Sequence, residues 1–136
     1  MAAIQELFRT VRSILVVEDE PLIRLVLEDV LACAGFAVLI AASSEAAIAI
    51  IDARAMQLSG LVTDIQLGDR TSGWELARYA RECNPEIPIV YTSGTCGADW
   101  SAQGVPVSQF VGKPFKSGEI LSALAALLND SEQSAA

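Results

Sequence analysis

Glu18 and Asp19 stand directly after the apolar run Ile14-Leu15-Val16-Val17, and Asp64 ends the run Leu61-Val62-Thr63. A lysine-proline pair, Lys113-Pro114, closes Phe110-Val111-Gly112. Carboxylates and a lysine at the carboxyl ends of buried strands point to one site, because ligands of an open α/β sheet bind beyond those strand ends. Three carboxylates gathered there repel one another, an arrangement kept mainly to hold a cation. The charges fit that purpose: one Mg²⁺ and the Lys113 ammonium balance the three carboxylates Glu18, Asp19 and Asp64.

Positioning these groups requires strands that alternate with helices, and the chain alternates five times. That order favours a parallel sheet with helices on both faces. Strands are expected over 13–18, 36–41, 60–64, 87–92 and 107–111. A first helix starts near Pro21, carries the stripe Ile23, Val26, Leu27, Val30, Leu31 and Ala34, and ends at Gly35. Ser43 or Ser44 caps a second helix, which runs to about Ala55. A third covers 73–83 and is stopped by Asn84-Pro85. The last begins after Phe115 and buries Ile120, Leu121, Leu124 and Leu128. Between strands four and five, Gly94, Gly97, Gly104 and Pro106 leave room for a helix of two turns at most.

A length of 136 residues suits one domain with a real core. Three parts are expected: an amphipathic extension over 1–12 with Ile4, Leu7, Phe8 and Val11 on one side, a domain over 13–130, and a disordered tail over 131–136. The extension either docks on the domain or contacts a partner, and the protein is expected to be a monomer or weak homodimer. No apolar stretch approaches a membrane span, and Glu6, Arg9 and Arg12 interrupt any secretory signal, so a cytoplasmic location is expected. A net charge of −8 disfavours nucleic-acid binding. Cys33, Cys83 and Cys96 lack the spacing of a disulfide framework or zinc site. The absence of histidine removes Ser-His-Asp and Cys-His catalysis and His-ligated zinc.

Four motifs, in order and at familiar separations, resemble the receiver domain of bacterial two-component response regulators, of the single-domain type. They are Val16-Val17-Glu18-Asp19-Glu20-Pro21, Asp64 at the end of strand three, Tyr91-Thr92-Ser93-Gly94, and Lys113-Pro114-Phe115. The likeness covers about 13–128. It implies a flavodoxin-like (βα)5 three-layer sandwich, with a five-stranded parallel sheet of order 2-1-3-4-5. It also implies a phosphorylation switch. A sensor histidine kinase or histidine phosphotransfer protein donates a phosphoryl group to Asp64, and a downstream protein partner reads the result.

By that resemblance Asp64 is the phosphoacceptor, a carboxylate forming an acyl phosphate. Glu18, Asp19, Asp64 and the backbone carbonyl of Gln66 hold Mg²⁺, with Glu18 acting mostly through a metal-bound water. Lys113 pairs with the phosphoryl oxygens, in line with phosphoryl transfer resting on positioning and cations. The Lys113–Pro114 bond is expected to be cis. Ser93 supplies the hydroxyl that swings to the phosphoryl group, and Phe110 is the aromatic switch that moves inward after it. Such a chain catalyses only its own phosphoryl transfer and dephosphorylation.

The chain departs from the family pattern after strand three. Gly68 stands where many relatives carry proline, Gly73 falls about one residue late, and Gln66 sits where side chains influence dephosphorylation. The main competing reading is a phosphorylation-independent protein-binding module on the same fold, whose signature would be loss of an acidic residue or the lysine; none is lost. A phosphatase with an aspartate nucleophile would show Asp-x-Asp, whereas Asp64-Ile65-Gln66 stands here. A flavin carrier would need a phosphate loop where Glu18-Asp19-Glu20 would repel phosphate.

Overall fold

A computed structural model describes residues 11–68, 71–95 and 97–135, with side chains through Asn129. Its strands are β1 (Ser13–Val17), β2 (Ala37–Ala41), β3 (Leu58–Asp64), β4 (Ile89–Ser93) and β5 (Ser108–Gly112). Its helices are α1 (Pro21–Cys33), α2 (Ser44–Arg54), α3 (Gly73–Cys83), α4 (Trp100–Gln103) and α5 (Ser117–Ala135). All strand pairs are parallel, in the order β2-β1-β3-β4-β5. This is the flavodoxin-like arrangement that the resemblance implied.

Parallel strands covered on both faces read as continuous apolar runs, which is why Ile14 to Val17 are all buried. Alternation sends successive residues to opposite layers. Leu15, Val17, Leu61, Ile89 and Tyr91 pack with Ala47 and Ile51 of α2 and Leu76, Ala77 and Ala80 of α3. Ile14, Val16, Val62, Val90 and Val111 pack with Leu27 and Leu31 of α1 and Ile120 and Leu124 of α5.

The helix signals act locally as their chemistry requires. Pro21 opens α1, and Gly35, at φ 97°, closes it, with Phe36 N donating to Leu31 O at 3.1 Å. Ser43 caps α2 through Ala46 N, and Ser72 caps α3 through Glu75 N. Asn84 leaves the helical region and, buried, donates its side-chain amide to Ala55 O at 3.0 Å.

Several expectations need correction. Val26 is 48% exposed, and Leu127, not Leu128, is the buried residue of α5's last inward turn. The tail expected to be disordered is helical as far as Ala135. The stretch Asp130 to Ala135 contains no glycine or proline, so nothing in it breaks the helix. The fourth helix is a single turn, preceded by a 3-10 turn over Gly97–Asp99. The amphipathic extension, apart from Val11 and Arg12, and Cys96 lie outside the described residues.

Candidate phosphoryl and cation site

The site lies at the carboxyl ends of β1, β3, β4 and β5. Val16, Val62 and Val111 share the layer beneath α1 and α5. Two residues further on in each segment stand Glu18, Asp64 and Lys113, which continue the same face beyond the core. Glu18 is 1% exposed and Asp64 6%, whereas Asp19 is exposed.

Lys113 reaches from the end of β5 to both buried carboxylates. Its Nζ lies 2.7 Å from Glu18 Oε1 and 3.1 Å from Asp64 Oδ2. The other oxygen of each carboxylate takes a backbone donor: Glu20 N on Glu18 Oε2 at 3.1 Å, and Gln66 N on Asp64 Oδ1 at 3.3 Å. Burial pushes the Glu18 carboxyl above its ordinary pKa, with Asp64's charge adding to the rise; the Lys113 bond only partly offsets it. Burial works against the Lys113 ammonium, but the two carboxylates outweigh it, and its pKa is raised.

One oxygen from each of Glu18, Asp19 and Asp64 lies within 4.8 Å of the other two. The donors are all hard oxygens, two of them buried, with a formal charge that one lysine does not neutralise. That set fits Mg²⁺. Arg24, which the sequence reading did not single out, braces the loop that carries two of these groups. Its guanidinium donates to Glu18 O at 3.1 Å and Asp19 O at 3.5 Å. No motif marks an arginine in the first turn of a helix for this purpose.

Two glycines fit the loop after Asp64 tightly. Gly73, capping the approach of α3, sits so close that a Cβ would lie 2.2 Å from Asp64 O. Gly68 has φ 74°, and a Cβ there would meet Asp19 Oδ2 at 3.3 Å. Proline is locked near φ −65° and cannot take this conformation, whereas glycine adopts it freely.

Ser93 is buried, and its Oγ accepts from Thr95 N at 3.1 Å while its carbonyl accepts from Lys113 N at 2.9 Å. The Lys113–Pro114 bond is cis. Phe110 is half-buried, its ring over Gly97 and its centroid 6.5 Å from that of Trp100. Gln66 is exposed beside Asp64. Glu18, Asp19, Asp64 and Lys113 therefore meet, Ser93 and Gln66 adjoin them through backbone bonds, and Phe110 lies one layer away with the α4 region.

An apolar groove of about 490 Å³ runs beside the site, lined by Leu22, Ile23, Val26, Pro114 and Phe115. Leu22 and Leu25 are 73% and 63% exposed. No helix among the described residues is long and apolar enough to cross a membrane.

Residues 14–125 match the family model described as the response regulator receiver domain. The chain is 34% identical over 121 residues to the phosphate regulon transcriptional regulatory protein PhoB of Pseudomonas aeruginosa, covering 86% of this chain and 52% of that protein. It thus spans about half the length of that curated relative. Among solved structures, a response regulator receiver protein from Sinorhizobium medicae is 39% identical with a TM-score of 0.85, covering 89% of this chain and 97% of that one. NtrX from Brucella abortus is 30% identical with a TM-score of 0.78, covering 90% of this chain and 28% of that one.

Proposed function

Because this chain belongs to the response regulator receiver domain family of two-component systems, a family of signalling modules, we propose that it takes a phosphoryl group from a partner's phosphohistidine onto Asp64. The observation that carries this reading is the pairing at Asp64: a buried carboxylate with a lysine at 3.1 Å, inside a cluster of oxygens spaced for a cation. An Asp64 oxygen attacks phosphorus, the P–N bond to the donor imidazole breaks, and that imidazole leaves with a proton. The product is an acyl phosphate. The 136 residues contain no histidine, so the phosphohistidine lies outside them.

Glu18, Asp19, Asp64 and the Gln66 carbonyl would hold Mg²⁺, which supplies positive charge against the phosphoryl oxygens. Lys113, beside Asp64, would supply a second positive charge and orient the group for attack. Phosphorylation takes Asp64 from about −1 toward −2 and adds acceptor oxygens. Ser93 Oγ then leaves Thr95 N for a phosphoryl oxygen, and Phe110 follows into the space it vacates. The surface near α4, β5 and α5 changes with it, and a downstream protein binds one form in preference. The exposed apolar side chains of Leu22, Leu25 and Val26, continuous with the groove at Pro114 and Phe115, suit docking of the donor's helical surface next to Asp64.

Intact-mass measurement after incubation with a small phosphodonor and Mg²⁺ tests the reading. One added phosphoryl group in the wild type and none in Asp64→Asn is expected. Equal labelling of both would place the acceptor elsewhere. No labelling of either would favour a module that binds its partner without phosphorylation.

A further inference from the structure

Thr92 is 1% exposed, and its Oγ1 has no hydrogen-bond partner among the described residues. A buried hydroxyl left unpaired costs about 1–3 kcal/mol, so it calls for a reason. Its place in the sheet supplies one. Thr92 pairs in register with Asp64 on one side and Val111 on the other. Its carbonyl accepts from Ile65 N, the residue after Asp64, at 3.1 Å. Two residues earlier on β4, Val90 lies in the layer beneath α1 and α5. By alternation Thr92 therefore shares the face of Glu18, Asp64 and Lys113.

The path of the lysine matters most. Lys113 follows β5, while its two carboxylate partners follow β1 and end β3. Strand β4 lies between β5 and β3, so the lysine and its carboxylate partners meet across β4. The β4 residue on that face at that level is Thr92. An ammonium has three donors, and the two carboxylates take two.

We propose that Thr92 is a positioning residue for Lys113: when a divalent cation draws the Glu18 carboxylate, the ammonium exchanges its bond to Glu18 for one to Thr92 Oγ1. The threonine hydroxyl keeps the lysine beside Asp64 in the cation-loaded state, when its closest partner is otherwise engaged. This rests on the cation site in the proposed function, but not on phosphorylation.

Titration of the protein with Mg²⁺ alone, followed by amide shifts of Gly112 and Asp64, tests the proposal. Thr92→Val keeps the shape and removes the acceptor. It is expected to be more stable than wild type without Mg²⁺ and to bind Mg²⁺ about tenfold more weakly, the value of one bond to a charged group. Thr92→Ser, which keeps a hydroxyl, should retain wild-type affinity within about threefold, and it also serves if the valine variant does not fold. Valine and wild-type affinities within twofold of each other would overturn the proposal, as would a serine variant that binds as weakly as the valine one. Absence of Mg²⁺ binding by the wild type would overturn it together with the cation site. Normal Mg²⁺ binding with no phosphoryl transfer to Asp64 would sink the acceptor reading alone.

Discussion

The ammonium of Lys113 sits closer to Glu18, at 2.7 Å, than to Asp64, at 3.1 Å. Glu18 thus holds the lysine more closely than Asp64 does, although it is not the residue proposed to react.

That relationship makes the site sensitive to pH. Burial and Asp64's charge raise the Glu18 pKa above its ordinary 4.5. A group whose folded pKa is raised favours folding most below its unfolded value, and that contribution is lost as pH rises through the folded one. Without Mg²⁺, the Glu18 contribution to stability should therefore fall as pH rises from below 4.5 through the raised value. Protons would compete with Mg²⁺ for the same carboxylate in the proposed site, so apparent Mg²⁺ affinity should drop on acidification while the pH is still above the ordinary carboxylate range. Denaturation midpoints against pH, with and without Mg²⁺, check both; Glu18→Gln should abolish the pH-dependent difference. Lys113 acts at the other end of the scale. Its raised pKa keeps its pairing intact below 10.5, to be lost as pH climbs through the folded value.

Gly73→Ala should lower stability by about 2 kcal/mol or more, because its Cβ would have to enter space 2.2 Å from Asp64 O and 2.7 Å from Ile65 Cα, both backbone atoms. Urea denaturation measures the loss. Gly118→Ala, whose Cβ meets nothing within 4 Å, is the control and should hold or gain stability. A Gly73 variant as stable as wild type would show that α3 slides off β3 without cost.

Val107 is a β-branched residue at φ 56° and is 67% exposed. Such a conformation costs roughly 1–3 kcal/mol, while glycine adopts it freely at an entropic cost of about 0.5–1 kcal/mol. Val107→Gly should therefore raise stability by about 1 kcal/mol in a urea melt. The strain is held by Arg81, whose guanidinium donates to Ile87 O at 2.8 Å, Pro106 O at 2.5 Å and Val107 O at 2.7 Å. Arg81→Ala should cost about 2 kcal/mol in the Val107→Gly background and less in the wild type, where losing the clamp also releases the strain. Equal costs in both would separate the clamp from the strain.

Gly97→Ala would bring a Cβ to 3.0 Å from Phe110 Cε1 and 3.2 Å from its Cζ. The ring must tilt, and Trp100, whose ring neighbours it, reports the movement. A change in tryptophan emission with little change in the urea midpoint is expected. Unchanged emission would place the Phe110 ring out of contact with this turn in solution.

The fold was legible because β1 and β2 are almost wholly apolar and the first three helices carry their own start or stop residues, at Pro21, Gly35, Ser43 and Ser72. The site was legible for a related reason: Glu18, Asp64 and Lys113 are charged residues that interrupt an apolar run where a strand must end. Features that depend on distant neighbours were not. Leu127 and Leu128 are identical in type, and only the phase of α5 on the sheet decides which is buried. Arg24 and Arg81 look like surface charges until carbonyls from other segments surround them. Thr92 sits next to Ser93 in a single motif, and only the crossing of Lys113 over β4 tells their hydroxyls apart.

Because every strand runs in the same direction, Arg12 enters the sheet at the pole opposite Asp64. Arg12 and Leu128, close to the far end of α5, border the same small hollow there. A fluorescent label attached at position 12 would accordingly leave the reactive pole turned toward bulk solution, open to donor and reader alike.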